Sequence, residues 1–202
     1  MSSIVLNGTA GSCWVGGALT TDYPRFEGEA EADVVVVGGG IVGLTAAFAL
    51  REAGKSVILL EARQIGRQVT GRSTAKITTQ HGLIYRHLID TFGVDYASSN
   101  AEANSEAADC IRSWIESLRI DCDYAPKSAF LYATTPGWQD AMESEAEAAR
   151  SLGFGARVLQ PAPLPFPTNA ALEFRHQAQF NPARYLAGLA SALHLLGGRI
   201  FE

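Results

Sequence analysis

The fold is decided by one short stretch near the start of the chain. Residues 34–43 have the sequence Val34-Val35-Val36-Val37-Gly38-Gly39-Gly40-Ile41-Val42-Gly43. The run of four valines has no polar alternation, which predicts a strand buried on both faces of a parallel sheet. The glycines have the spacing G-x-G-x-x-G, and helix formers continue from Leu44 to Ala53. The stretch therefore predicts a strand, a tight turn and a helix in direct succession.

Each glycine of the pattern has its own expected role. Gly38 permits the tight turn off the strand, Gly40 lets a pyrophosphate approach the backbone, and Gly43 lets the helix pack close to the sheet. The free N–H groups and the positive end of the helix dipole favour an anion at this position. The pattern alone is a weak indicator, because glycine-rich turns also occur as purely structural features.

The residues after the helix strengthen the assignment. Gly54 is placed to end the helix, Val57 to Leu60 form a second apolar run, and Glu61 follows that run. A carboxylate here can accept hydrogen bonds from adenosine ribose hydroxyls, and it would repel the 2′-phosphate of NADP. The sequence from Asp33 to Glu61 thus predicts a dinucleotide-binding βαβ unit. The alternative for Glu61 is a solvated acid at a strand end.

A polar segment from Gly66 to His81 predicts an extended loop beyond this strand. Its centre, Thr70-Gly71-Arg72-Ser73-Thr74-Ala75-Lys76, carries hydroxyls, backbone amides and two cations that could contact a pyrophosphate and a flavin. Long loops in compact domains are usually functional, although a plain surface loop is the alternative. Since FAD and NAD share the glycine pattern, this loop is the feature that favours FAD.

The rest of the chain predicts further helices and strands. We expect an amphipathic helix from Ala97 to Leu118, a strand over residues 128–134, a helix over 138–152, a proline-rich connector over 161–167, a helix over 183–196 and a strand from Arg199. Residues 1–31 predict an irregular arm. Its Trp14, Tyr23 and Phe26 either pack on the main domain or belong to a partly mobile leader.

Composition narrows the function classes. The 202 residues carry a formal net charge of −5, so nucleic acid or an anionic membrane is an unlikely partner and a small molecule is the better expectation. No apolar run reaches the roughly 20 residues that span a bilayer. Cys13, Cys110 and Cys122 form no paired motif, no secretory signal is visible, and the histidines lack metal-ligand spacing. These features predict a cytoplasmic protein without a metal site.

Three stretches resemble a known family. Ala32 to Glu61, Thr70 to Gly82, and Ala178-Gln179-Phe180-Asn181-Pro182 are similar to the FAD-dependent oxidoreductases of the D-amino acid oxidase and glycine oxidase superfamily. The similarity is greatest to the subgroup with a C-terminal Rieske iron–sulfur domain. It implies an α/β fold in which a Rossmann-like FAD-binding domain is interleaved with a smaller mixed-sheet substrate domain, both incomplete in this chain.

The resemblance also implies a domain division. The expected parts are an irregular arm (1–31), an FAD-binding part with the long helix (32–119), a substrate-domain part (120–178) and a return to the FAD-binding domain that stops in its third strand (179–202). This chain has no Cys-x-x-His pair, so no iron–sulfur cluster is expected on it.

The implied activity is hydride transfer to flavin from the carbon next to nitrogen in a small amine or amino acid, with an unknown electron acceptor. No His or Cys lies between Arg72 and Lys76, so noncovalent FAD is expected; the catalytic residues are unknown. The expected cofactor-binding residues are Gly38, Gly40, Ile41, Val42, Gly43, Glu61, Ala62, Arg63, Thr70, Gly71, Arg72, Ser73, Thr74, Ala75 and Lys76. An NAD-dependent dehydrogenase and a truncated chain that binds a nucleotide without catalysis are the alternatives.

Overall fold

The computed structural model describes residues 12–14 and 21–202, which form two compact units. Unit 1 contains the described residues up to Thr74 together with Leu118–Cys122 and Asn181–Glu202. Unit 2 contains Ala75–Ser117 and Asp123–Phe180. In chain order the elements are β1 (Val34–Val37), α1 (Ile41–Glu52), β2 (Val57–Leu60), β3 (Lys76–Ile77), α2 (Ile84–Phe92), α3 (Val94–Ser117), β4 (Ala125–Ala133), α4 (Gln139–Ser151), β5 (Ala156–Leu159), β6 (Ala170–Gln179), α5 (Pro182–Leu195) and β7 (Arg199–Phe201).

Unit 1 is built on a three-stranded sheet in the order β1-β2-β7, with both pairings parallel. Val34 pairs with Val57, and Ile58 pairs with Arg199. Helices α1 and α5 pack against each other, and Phe48 and Leu189 are fully buried. Helix α5 begins where the side chain of Asn181 accepts hydrogen bonds from the first amides of the helix. The predicted βαβ unit is therefore confirmed.

Strand β1 is less buried than its sequence predicts. Val35 and Val37 are 51% and 83% exposed, whereas the first three residues of β2 are buried. The cause is position: β2 lies between two strands, while β1 pairs only with β2 among the strands that the structure describes. The expectation of burial on both faces is wrong for β1, and it fits β2.

Unit 2 contains a four-stranded sheet in which β6 is central. β3, β4 and β5 each pair with β6, and all three pairings are antiparallel. The sheet is therefore antiparallel and not mixed as expected, because every neighbour of the long central strand runs opposite to it. Opposite Ser128, the register shifts and His176 has a φ of +60°, which marks a β-bulge.

One face of this sheet packs on helices. Leu172 and Phe174 of β6 share a buried core with Met142 of α4 and Tyr85 of α2. Helices α2 and α3 also pack on each other, which places residues 75–117 in unit 2. The expected division had assigned 32–119 to the FAD-binding part. The two groupings differ because the long helix packs on α2, and α2 in turn packs on α4, within unit 2.

A buried carboxylate connects two helices of this unit. Glu145 of α4 is fully buried, and its two oxygens accept hydrogen bonds from the backbone N–H groups of Tyr85 and Arg86, each at 2.8 Å. These amides open helix α2 and have no acceptor within their own helix.

Among the residues described, no helix combines the length and apolar character that crossing a membrane would require.

Candidate dinucleotide-binding site

The turn between β1 and α1 has three glycines with different requirements. Gly38 has a φ of +107°, a conformation that other residues rarely adopt. A Cβ atom on Gly43 would lie only 2.0 Å from the carbonyl oxygen of Gly38. Gly40 has extended backbone, with φ of −79°, and a Cβ there would meet only the Thr70 hydroxyl, at 3.5 Å. Gly38 and Gly43 are thus needed to build the turn, while the space in front of Gly40 is open.

Helix α1 begins without a side-chain cap. Gly40 provides none, and no acidic residue lies in the first turn of the helix. The N–H of Ile41 donates to the hydroxyl of Thr70 at 3.1 Å. Val42 and Val69, on either side of this contact, are 80% and 86% exposed. The helix therefore presents amides and the positive end of its dipole to an open, partly apolar surface.

Glu61 is fixed directly beside this turn. Its Oε2 accepts a hydrogen bond from the N–H of Gly39 at 2.7 Å, and its Oε1 accepts one from the N–H of Arg63 at 3.0 Å. A carboxylate has about four acceptor positions, so each oxygen keeps capacity for a hydroxyl donor. The geometry allows Glu61 to bind a ribose while it holds the turn.

The loop after β2 is held by the N-terminal arm. Residues Thr70–Arg72 form a short 3₁₀ turn. The hydroxyl of Ser12 donates to the carbonyl of Gly71, and the indole N–H of Trp14 donates to the carbonyl of Ser73 at 2.9 Å. These contacts join the start of the described chain to the segment that the sequence singles out for the cofactor.

Two other aromatic residues of the arm also pack on unit 1. The ring centroid of Tyr23 lies 5.9 Å from that of His194, and Phe26 makes an edge contact with Phe201 at 5.1 Å. Together with the contact of Trp14, they confirm the packed alternative for the arm's aromatics. Residues 1–11 and 15–20 of the predicted arm lie outside the described residues.

Two ionisable groups in unit 1 have pKa values that differ from their ordinary values. Burial, and then the negative charge of Glu202, raise the pKa of Tyr23 above its ordinary value. The backbone and hydroxyl of Ser56 donate to Asp33 and lower the pKa of this carboxyl group. The Asp33 contact joins the segments that precede β1 and β2, so it aligns the two strands at the end opposite the glycine turn.

The structure brings together some of the expected cofactor residues and separates others. Contacts with the turn or with α1 are made by Glu61 and Thr70, and Arg63 bonds to Glu61. Ala62, Arg72, Ser73 and Thr74 belong to unit 1 and are exposed.

The last two expected residues, Ala75 and Lys76, belong to unit 2. Ala75 is buried and accepts a hydrogen bond from the N–H of Phe180, whereas Lys76 is an exposed residue of β3.

In the part of the chain that the structure describes, no three His, Cys, Asp or Glu side chains form a metal-binding group.

Sequence reasoning missed three residues at this site. Gly39 donates to Glu61, Ile65 packs on Gly39, and Glu202 accepts a hydrogen bond from Ile65. Gly39 occupies a variable position of the glycine pattern, and the run of three glycines was the signal that could have revealed it. The roles of Ile65 and Glu202 depend on contacts between distant segments, for which the sequence carries no local signal.

Comparison with known proteins identifies the family. Residues 33–202 match the family described as FAD dependent oxidoreductase. The chain belongs to this family. The FAD-dependent oxidoreductase assignment confirms the resemblance, the α/β fold class and FAD as the cofactor of the family.

The alignments with individual proteins span most of this chain but less than half of the matched protein. The chain is 35% identical over 189 residues to the putative Rieske 2Fe-2S iron–sulfur protein YhfW of Bacillus subtilis (strain 168), which covers 94% of this chain and 37% of that protein. It is 30% identical over 176 residues to gamma-glutamylputrescine oxidoreductase of Escherichia coli (strain K12), covering 84% and 41%. The structure of L-amino acid deaminase from Proteus vulgaris has a TM-score of 0.68 at 18% identity, covering 90% and 42%.

The geometry of unit 1 fits the cofactor of this FAD-dependent oxidoreductase family. The open space in front of Gly40 and the uncapped start of α1 suit a pyrophosphate, which needs close approach to backbone amides. The fixed carboxylate of Glu61 suits ribose hydroxyls. A side chain at Gly40 would fill part of this open space, while one at Gly43 would disrupt the turn itself.

Proposed function

We propose that this chain forms the FAD-binding part of an oxidoreductase that oxidises a small amine or amino acid at the carbon next to nitrogen. The observation that carries the proposal is the open, uncapped N-terminus of α1 beside the fixed carboxylate of Glu61. The substrate class is supported by two relatives, whose names specify gamma-glutamylputrescine and L-amino acids. The chain spans about two fifths of these proteins, so the activity is assigned to the whole enzyme.

The residues of unit 1 would bind and orient the cofactor. The amides of Gly40 and Val42 would hold the pyrophosphate, helped by the helix dipole, while the N–H of Ile41 keeps its bond to the Thr70 hydroxyl. Glu61 would accept hydrogen bonds from the adenosine ribose and keep its bond to Gly39. Because no covalent partner lies in the loop between Arg72 and Lys76, these contacts would hold FAD noncovalently. When bound, FAD supplies the group that accepts a hydride from the substrate.

The antiparallel sheet of unit 2 is the proposed location of substrate contacts. Away from its helix-packed core, Glu173 is 7% exposed and accepts hydrogen bonds from Ser128 at 2.7 Å and Arg157 at 2.5 Å. Arg157 and Arg175 side chains are about half exposed, at 51% and 50%. Together with Glu173 these cations leave a net positive charge, which would favour an anionic substrate group such as a carboxylate.

The test is the visible absorbance spectrum of the purified chain before and after addition of excess FAD and removal of free nucleotide. Retained flavin bands are expected, and excess NAD should leave no retained nucleotide. Bleaching by an amine or amino acid would show that the chain itself is catalytic. If flavin is retained but none of the amines and amino acids tested bleaches it, binding is assigned to this chain and catalysis to the longer enzyme. A folded chain that retains no flavin would refute the proposal.

A further inference from the structure

Glu202 connects three separate segments of unit 1. Its Oε1 accepts hydrogen bonds from the Thr21 hydroxyl at 2.5 Å and from the N–H of Ile65 at 2.7 Å. Its Oε2 accepts one from the N–H of Tyr23 at 3.0 Å. The N–H of Glu202 itself donates to the carbonyl of Pro24 at 3.1 Å. One carboxylate at the end of β7 thus fixes both the N-terminal arm and the loop after β2.

The loop held by Glu202 supports the glycine turn. Ile65 is 7% exposed, and its Cγ1 lies 2.8 Å from the position that a Cβ atom on Gly39 would occupy. The next residue, Gly66, donates its N–H to the carbonyl of Gly39 at 3.1 Å. Ile65 and Gly66 therefore contact Gly39 through a side chain and a hydrogen bond. Any shift of Ile65 would be transmitted to the turn.

Two carboxylates hold alternate amides of this loop. Glu61 follows β2 and accepts from Arg63, whereas Glu202 follows β7 and accepts from Ile65. The N–H of Glu61 donates to the carbonyl of Phe201 at 2.8 Å, which connects the two strand ends. Hydrogen bonds to a carboxylate are stronger than those between neutral groups. The start of the loop is thus fixed by two charge-assisted hydrogen bonds.

We propose that Glu202 is a positioning residue for the dinucleotide, acting through Ile65 on Gly39 and hence on the amides that meet the pyrophosphate. The inference rests on the proposed function, because it requires that the turn binds FAD. It also gives a role to the arm residues Thr21 and Tyr23, which precede the part of the chain matched by the family, residues 33–202. Preorganised amides bind more tightly than amides that must be ordered during binding.

The test compares Glu202→Gln with the wild-type chain. The amide keeps one acceptor oxygen but has no charge, so we expect FAD affinity to fall by about tenfold. Amide hydrogen exchange at Ile65 and Gly39 should accelerate in the nucleotide-free protein. The matched control is Glu29→Gln, which removes the same charge from an exposed residue of the arm and should change neither quantity.

Affinity is measured well below the thermal unfolding transition of each variant. A purely structural role for Glu202 would lower the unfolding temperature and leave FAD affinity of the folded protein unchanged, and that result would overturn the inference. If Glu202→Gln does not fold, Thr21→Val removes one of the three donors and should weaken FAD binding by about threefold. Unchanged affinity and unchanged exchange in this variant would also overturn it.

Failure of the proposed function gives a different result. In that case the wild-type chain itself retains no FAD, whereas failure of the Glu202 inference leaves wild-type binding intact and removes only the difference between variants.

Discussion

The hydroxyl of Thr70 accepts a hydrogen bond from the backbone N–H of Ile41, with 3.1 Å between oxygen and nitrogen. This bond holds the loop after β2 against the first turn of α1. Thr70→Val keeps the shape of the side chain but removes the acceptor, so the loop must be ordered when FAD binds. We expect the dissociation constant for FAD to rise by about three- to tenfold, measured by titration of flavin fluorescence. Thr70→Ser keeps the hydroxyl, and equal affinities of the two variants would contradict this role.

The glycines of the turn should separate binding from stability. Gly40→Val places a side chain in open space on extended backbone, so the nucleotide-free protein should unfold near the wild-type temperature while FAD binding is abolished. Gly43→Ala forces a Cβ atom to within 2.0 Å of the Gly38 carbonyl and should lower the free energy of unfolding by about 3 kcal/mol. Thermal unfolding and FAD titration of both variants measure the contrast. Retained FAD binding in Gly40→Val would refute the site.

The first βαβ unit could be predicted because its signals are local. The valine run, the glycine spacing and Glu61 lie close together in sequence, and the predicted helix from Leu44 to Ala53 differs from α1 by a few residues. The exposure of β1 could not be predicted, because the residues of a strand do not indicate whether it pairs with one neighbouring strand or with two.

Elements of unit 2 were harder to predict. Helix α2 and strand β5 are short, and β6 has an alternation that the bulge at His176 interrupts. Some contacts of the candidate dinucleotide-binding site could not be predicted, because they join distant parts of the sequence. The hydrogen bond between Ile65 and Glu202 joins residues 137 positions apart, and that between Ser12 and Gly71 joins residues 59 apart. Such contacts depend on the tertiary fold, and no local pattern of residues in the sequence predicts them.

Glu145 should be essential for the stability of unit 2. Glu145→Ala leaves the amides of Tyr85 and Arg86 without their acceptor in a buried position, and it removes a carboxylate from the positive end of α2. We expect the free energy of unfolding to fall by about 3 kcal/mol, measured by urea denaturation. Glu147→Ala, at an exposed position on the same helix, is the control and should cost less than about 0.5 kcal/mol. Equal losses would contradict the capping role.

Glu173 should make stability depend on acid pH. Burial raises its pKa, but hydrogen bonds from Ser128 and Arg157 and the charges of Arg157 and Arg175 outweigh this and hold the pKa below its usual value of 4.5. A carboxyl group with a lowered folded-state pKa stabilises the protein above its unfolded-state pKa and loses that contribution as pH falls through the folded-state value. The wild-type chain should therefore lose stability below about pH 4.5 more steeply than Glu173→Gln. Urea denaturation across this range measures both slopes, and parallel slopes would refute the assignment.

The interleaving of the two units has a consequence for the order in which the protein is made. Every residue of unit 2 precedes Asn181, whereas the sheet of unit 1 needs β7 to complete its pairing with β2. A ribosome releases the chain from its N-terminus, so unit 2 can fold while β1, α1 and β2 still wait for their last partner. The glycine turn gains the support of Glu202 only when that residue emerges. Support of the turn by Glu202 therefore comes after synthesis of unit 2, and it depends on β7 and not on synthesis of the glycine motif alone.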